Sequence, residues 1–262
     1  MRAIGGVVAA LILAPWSAGA AELRIVGTGD GIDLLRALGA AYTAEYPDVT
    51  VVVPPSIGSG GGIAAVGSGR EVLARVARPL SEGERAQGLV GVPLMRLPSA
   101  IFVHPSTGVT TITAAQLADI YAGKITNWSE VGGADARIKV VRREDADSTL
   151  TVLRQTMPGW NGLTITDRSK LATTTQEAIS TVETVPGAIG FGPYGRHLEP
   201  ALTVLRIDGH HPLDPSYPSA VLVGFVHRDG ALPPPAQDFV SFAASPKAKA
   251  ILASLGGLPA ER

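Results

Sequence analysis

This 262-residue chain is defined first by what it lacks: it has no cysteine, only 5% aromatic residues and only 17% charged residues. Without thiols there can be no disulfide, thiolate zinc site, iron–sulfur cluster or cysteine nucleophile. The charges nearly cancel, with 22 Lys and Arg against 23 Asp and Glu for a net charge of −1. Such a balance gives no basic footprint for nucleic acid, and no nucleic-acid partner is expected. After the first twenty residues no run approaches the ~20 apolar residues that a membrane span needs. There is no internal repeat and no low-complexity tract. What is present is a 45% hydrophobic chain with 31 glycines and 20 prolines. Gly and Pro together make about a fifth of the chain, below the level that signals disorder, so a loop-rich globular protein of one large or two small domains is expected.

The first segment reads as an export signal. Arg2 supplies a positive start, Ile4 to Leu13 is apolar apart from Gly5 and Gly6, and Ala18-Gly19-Ala20 ends it. Residues 1–20 are therefore predicted to be a signal peptide cleaved after Ala20, too short in its apolar part to span a bilayer. With no cysteine to carry a lipid anchor, the expected location is the periplasm, where an oxidising milieu makes spare thiols a liability.

The rest alternates strands and helices. Leu23–Val26 reads as a strand, followed by a helix with Leu34, Leu35, Leu38 and Tyr42 on one face. The β-branched run Val49–Val53 suggests a strand buried on both faces of a parallel sheet. Ser81-x-x-Glu84, Thr113-x-x-Gln116 and Thr174-x-x-Glu177 have the spacing of capping boxes. Ala100–Val103, Arg137–Val141, Ala188–Phe191 and Ala220–His227 read as further strands, and Gln237–Ala253 as a C-terminal helix behind a triple proline. The pattern is α/β.

Three strand-to-helix turns, 27–31, 56–62 and 143–149, are rich in Gly, Ser, Thr and Asp. Ligands of open α/β sheets bind at the carboxyl ends of strands, where helix N-termini offer free N–H groups and a positive dipole end. Arg143 adds a cation suited to bidentate oxyanion contact. Each turn taken alone is equally well explained as ordinary capping chemistry. Signs of catalysis are missing: Ser59 lacks the glycine two positions before it that a nucleophile elbow needs, and no phosphate-binding P-loop occurs. None of the five histidines has metal-ligand spacing, and His210-His211 reads as an exposed turn. No catalytic residue, metal or cofactor is expected.

Residues Thr113 to Trp128 (TAAQLADIYAGKITNW), then Val131-Gly132-Gly133 and Ile138 to Arg143 (IKVVRR), resemble the second lobe of periplasmic phosphate-binding proteins of ABC transporters. Ser56–Gly62, Ala77-Arg78-Pro79-Leu80, Gly187–Phe191 and the tail from Tyr217 to Pro259 are similar more loosely. The resemblance implies a class II periplasmic binding fold, two α/β lobes joined by two hinge crossings. It places the crossings near Ala100–His104 and Ile189–Pro193, with residues 21–100 and 191–262 as lobe I and 101–190 as lobe II. It also implies a ligand site of Thr28, Asp30, Gly31, Ser59, Gly60, Arg143, Asp147, Ser148 and Thr149.

That site departs from the family pattern. Asp30 stands where the family has a hydroxyl residue, Ala77 where it has an acid or serine, and Asp147-Ser148 where it has Ser-Gly. One carboxylate can accept the proton of HPO₄²⁻, but two beside a single arginine would repel a dianion. A like-charge contact at ~4 Å and an effective dielectric of ~20 costs about 4 kcal/mol, half of the ~8 kcal/mol in micromolar binding. Alternatively, Asp30 and Asp147 are N-caps turned onto their own helices. The implied function is a monomeric solute-binding protein that takes phosphate, another oxyanion or another small ligand to an ABC permease in the inner membrane. The alternative is a periplasmic sensor or accessory protein that recognises a different ligand and a sensor partner.

Overall fold

The computed structural model describes residues 20–230 and 232–260, so the expected signal segment, Ala20 apart, lies outside the described residues. The chain runs β1 (Ala21–Gly27), α1 (Ile32–Glu45), β2 (Val49–Val52), α2 (Gly58–Gly67), β3 (Leu73–Val76), α3 (Glu82–Ala86) and β4 (Leu89–Val103). It continues through β5 (Thr111–Ile112), α4 (Ala114–Tyr121), β6 (Lys139–Arg143), α5 (Ser148–Thr156), β7 (Ser169–Ala172), α6 (Thr175–Thr184) and β8 (Ala188–Pro193). It ends with β9 (Thr203–Val204), β10 (Arg206–Ile207), β11 (Ala220–Arg228), α7 (Pro234–Ala243), α8 (Pro246–Ser254) and β12 (Leu258–Pro259). Among the described residues, no helix is long and apolar enough to cross a membrane.

The strands follow the order β2-β1-β3-β11-β4-β8-β6-β7, with β9 and β12 also pairing with β4. Strands β1, β2 and β3 are parallel, as are β6, β7 and β8, while β11 and β4 run antiparallel to their neighbours. This is the expected two-lobe α/β architecture. One apolar cluster joins α1 and α7 to the first sheet through Leu35, Tyr42, Phe225 and Phe239. A second gathers Leu117, Tyr121, Trp128, Trp160 and Phe191 on the other half.

Strand β4 links the halves. Its residues 89–98 pair with β11, and Ser99–Val103 pair with β8. Beyond Ile189–Pro193, Leu205, Ile207 and Tyr217 pack in the second cluster, and Tyr194, Leu198 and Leu202 in the cluster behind it, which supports a later second crossing. Burial of those side chains packs most of residues 194–217 against the second lobe, although Arg196 N donates to Leu255 O at 3.1 Å, and the Ser219 carbonyl accepts from Ser99 N at 2.9 Å. We therefore place the two crossings at Pro98–Ser99 and Pro218–Ser219, which assigns residues 191–217 to lobe II rather than lobe I.

Two local expectations are corrected. Strand β2 is an edge strand, half-exposed along most of its length, because only β1 pairs with it. The single C-terminal helix is two, since Ser245 caps α8 by accepting from Ala248 N and Pro246 cannot extend α7. The capping boxes at Ser81 and Thr113 close as expected.

Phe239 lies at 0% exposure, with its ring edge-on to Tyr42 at 5.2 Å and Phe225 at 5.8 Å. Phe239→Ala is expected to cost about 3–5 kcal/mol of folding stability, read from the urea midpoint.

Candidate functional site

The site lies where the carboxyl ends of the parallel strands of both lobes meet. From lobe I come the turn after β1 and the first turn of α2; from lobe II come the loops after β6 and β7. Helix α1 is capped at its N-terminus by Gly31, whose φ of 71° lies in the left-handed region that glycine adopts without strain. Thr28 is buried, and its Oγ1 accepts from Asp30 N at 3.2 Å, which tightens the turn.

Asp30 is 1% exposed and does not cap α1. Its carboxylate turns to the opposite lobe, where Oδ1 accepts from Thr175 Oγ1 at 3.0 Å and Oδ2 from Thr149 Oγ1 at 3.3 Å. Beside it, Ser59 Oγ lies 3.2 Å from Ser148 Oγ and accepts from Ala77 N at 3.0 Å. The residue after β3 therefore contributes its backbone N–H, which alanine supplies as well as any other residue. Gln176 Nε2 donates to Gly29 O at 3.2 Å and adds a third strap between the lobes.

Asp147 behaves differently from Asp30. Its Oδ1 accepts from Leu150 N at 2.9 Å, the capping bond, while Oδ2 accepts from Arg143 Nε at 3.1 Å and Nη2 at 2.8 Å. The pair is nearly buried, with side chains 10% and 7% exposed. Arg143 Nη1 also donates to Ala172 O at 2.8 Å. These contacts use three of the five guanidinium N–H groups and leave two free. Of the two aspartates in question, one is a cap with its charge matched, and the other faces the cleft.

The nine residues named from sequence are thus brought together with one exception, since Gly60 lies on the exposed side of the first turn of α2. Sequence reading missed Thr175 and Gln176. The Thr173-Thr174-Thr175 run after β7 was their signal, but it read only as a cap for α6, which Thr174 provides by accepting from Glu177 N. Burial, reinforced by the charge of Asp147, raises the pKa of Asp30 from 3.8 to about 6, against the opposing bond from Thr175, the Arg143 charge and the bond from Thr149. Among the described residues no cluster of His, Asp or Glu could hold a metal ion.

A model of the PBP superfamily domain matches residues 14–247. Phosphate-binding protein PstS of Bacillus subtilis (strain 168) is 30% identical over 198 residues, covering 73% of this chain and 63% of that protein. Phosphate-binding protein PstS 2 of Streptococcus pneumoniae (strain R6) is 30% identical over 110 residues, 42% of this chain and 37% of that protein. The chain thus spans less than two thirds of the length of these curated relatives. Among solved structures, a phosphate ABC transporter substrate-binding protein from Clostridium perfringens with bound phosphate has a TM-score of 0.81 at 26% identity. The match covers 91% of this chain and 99% of that one. An ABC-type phosphate transport receptor from Vibrio cholerae, at a TM-score of 0.65 and 24% identity over 91% of this chain and all of that one, shares the fold.

The raised pKa of Asp30 sets a pH dependence of known sign. The folded state holds this proton more tightly than the unfolded chain, so the group's contribution is full below about pH 4 and is lost as pH rises through about 6. Two pKa units correspond to about 3 kcal/mol. Asp30→Asn should remove that slope, with its stability advantage over the parent growing from near zero at pH 4 to at most about 3 kcal/mol at pH 7 in urea titrations.

Proposed function

The chain belongs to the PBP superfamily, and on that basis we propose that it is the solute-binding component of an ABC importer, holding phosphate as HPO₄²⁻ between its lobes. The carrying observation is the meeting of Asp30 and Ser59 with Thr149 and Ser148 beside a charge-matched Arg143. These hydroxyls bond one another or Asp30, and each can turn instead to a ligand oxygen. Helix α5 begins at Ser148 and α2 at Gly58, so their first-turn N–H groups belong to the same constellation.

Electrostatics favours an anion that carries a proton. Asp147 adds little repulsion because Arg143 lies 2.8 Å away. Asp30 has no cation bonded to it, and a ligand O–H donated to its carboxylate replaces a bond from Thr149 or Thr175. A fully ionised oxyanion has no proton to give to the ionised Asp30 carboxylate, so at that contact acceptor would face acceptor. The binding proteins similar to this chain support transport, and nothing among them favours the sensor reading. In this reading the protein works outside the inner membrane, performs no catalysis and hands its ligand to a permease.

Isothermal titration tests the assignment. The folded protein should bind phosphate with one site per chain and sulfate at least 100-fold more weakly; absence of heat at millimolar phosphate would sink the phosphate reading. Arg143→Met, which removes the free N–H donors and leaves the Asp147 charge unmatched, should weaken phosphate binding at least 100-fold.

A further inference from the structure

Arg75 sits within β3 at 0% exposure. The hydrogen bonds of its guanidinium all run to backbone carbonyls. Nε donates to Thr28 O at 2.6 Å, Nη1 to Ile25 O, and Nη2 to Pro54 O at 2.8 Å and, longer, to Pro55 O at 3.5 Å. Burial, with the nearby Arg36 charge, draws its pKa down to about 10, so it stays protonated at neutral pH. A buried cation is costly unless it is richly hydrogen-bonded, and here four carbonyls meet that demand.

Those carbonyls come from the end of β1 and from two loops. The turn after β1 carries Thr28 and Asp30; the loop of Pro54 and Pro55 leads into α2 and Ser59. The two loops are also stitched to each other and to β3. Ile57 N donates to Gly27 O at 2.9 Å, Thr28 N to Arg75 O at 3.1 Å, and Ala77 N to Ser59 Oγ at 3.0 Å. Gly27, at φ 132°, permits the close approach, since a Cβ there would lie 2.0 Å from Arg75 O. The side chain of Arg75 is bonded to neither Asp30 nor Ser59 and reaches no residue of the opposite lobe.

We propose that Arg75 is a positioning residue for the ligand site. By holding the carbonyls of both loops in one guanidinium fork, it sets the spacing at which Asp30 and Ser59 are presented to Thr149, Thr175 and Ser148. A rigid planar donor suits this task, because its N–H directions are fixed relative to one another. The effect on ligand affinity rests on reading the cleft as a phosphate site, whereas the effect on loop geometry does not.

The test uses Arg75→Met, of similar length but without donors; Arg75→Lys, which keeps charge and donors without the fork; and Leu117→Ala as a destabilised control in the core of lobe II. Two quantities are read at a temperature where the proteins are folded: hydrogen exchange of the Ile57 and Ala77 amides, and affinity for inorganic phosphate by calorimetry. Arg75→Met should speed exchange at both amides at least tenfold beyond the control and weaken phosphate at least 30-fold, while the control keeps parental affinity. Arg75→Lys should recover part of each loss. Exchange and affinity in Arg75→Met no worse than in the control would overturn the proposal. If Arg75→Met does not fold, parental exchange and affinity in Arg75→Lys overturn it equally. Should the parent protein itself take up no phosphate, the functional reading fails, and the exchange comparison alone decides whether Arg75 positions the loops.

Discussion

A carboxylate cut off from water must be satisfied by its surroundings, and Asp30 meets its side-chain partners only on the other lobe. At 1% exposure it accepts from Thr149 and Thr175, two hydroxyls contributed by the starts of different helices. The closed arrangement of the cleft depends on this demand. The Ser59–Ser148 contact and the Gln176 strap to Gly29 lie beside it, and both would be lost if the lobes parted at Asp30. One carboxylate thus serves as a fastening between the lobes.

Charge pairing lets this chain depart from the family pattern it resembles. Two aspartates in one cleft would repel a dianion if both faced it uncompensated. Asp147 spends one oxygen on the N-terminus of α5 and the other on Arg143, so its charge is answered before any ligand arrives. The loss of a side chain at Ala77 is absorbed differently, since the backbone N–H there holds Ser59 in place.

Much of the fold could be read from residue patterns. The capping boxes, the early strand–helix alternation and the three polar turns mark where helices begin and where the cleft lies. The misreadings share a physical origin in long-range packing. Val49–Val53 has the composition of a central strand but lies at an edge, because strand order is invisible to local pattern. Strand β4 showed only its last four residues, since Pro93 and Pro98 argue locally against a strand; Pro93 is accommodated at a register shift opposite Val223 and Gly224. Thr175 looked like one more capping threonine until the turn of the chain set it against Asp30. Arg75 carried no signal, for nothing in Leu73 to Val76 announces a charge whose partners are carbonyls from distant loops.

The continuity of β4 bears on how the two halves can move. A fifteen-residue strand that begins in one sheet and ends in the other acts as a torsion bar rather than a string. Rotation applied to one half is carried into the other by the backbone itself. The handover from β11 to β8 falls at Pro98, which has no N–H to give to the ladder. Thr149 and Thr175 stand on the same half of the molecule, at the starts of α5 and α6, so any twist between the halves would move both relative to Asp30 together.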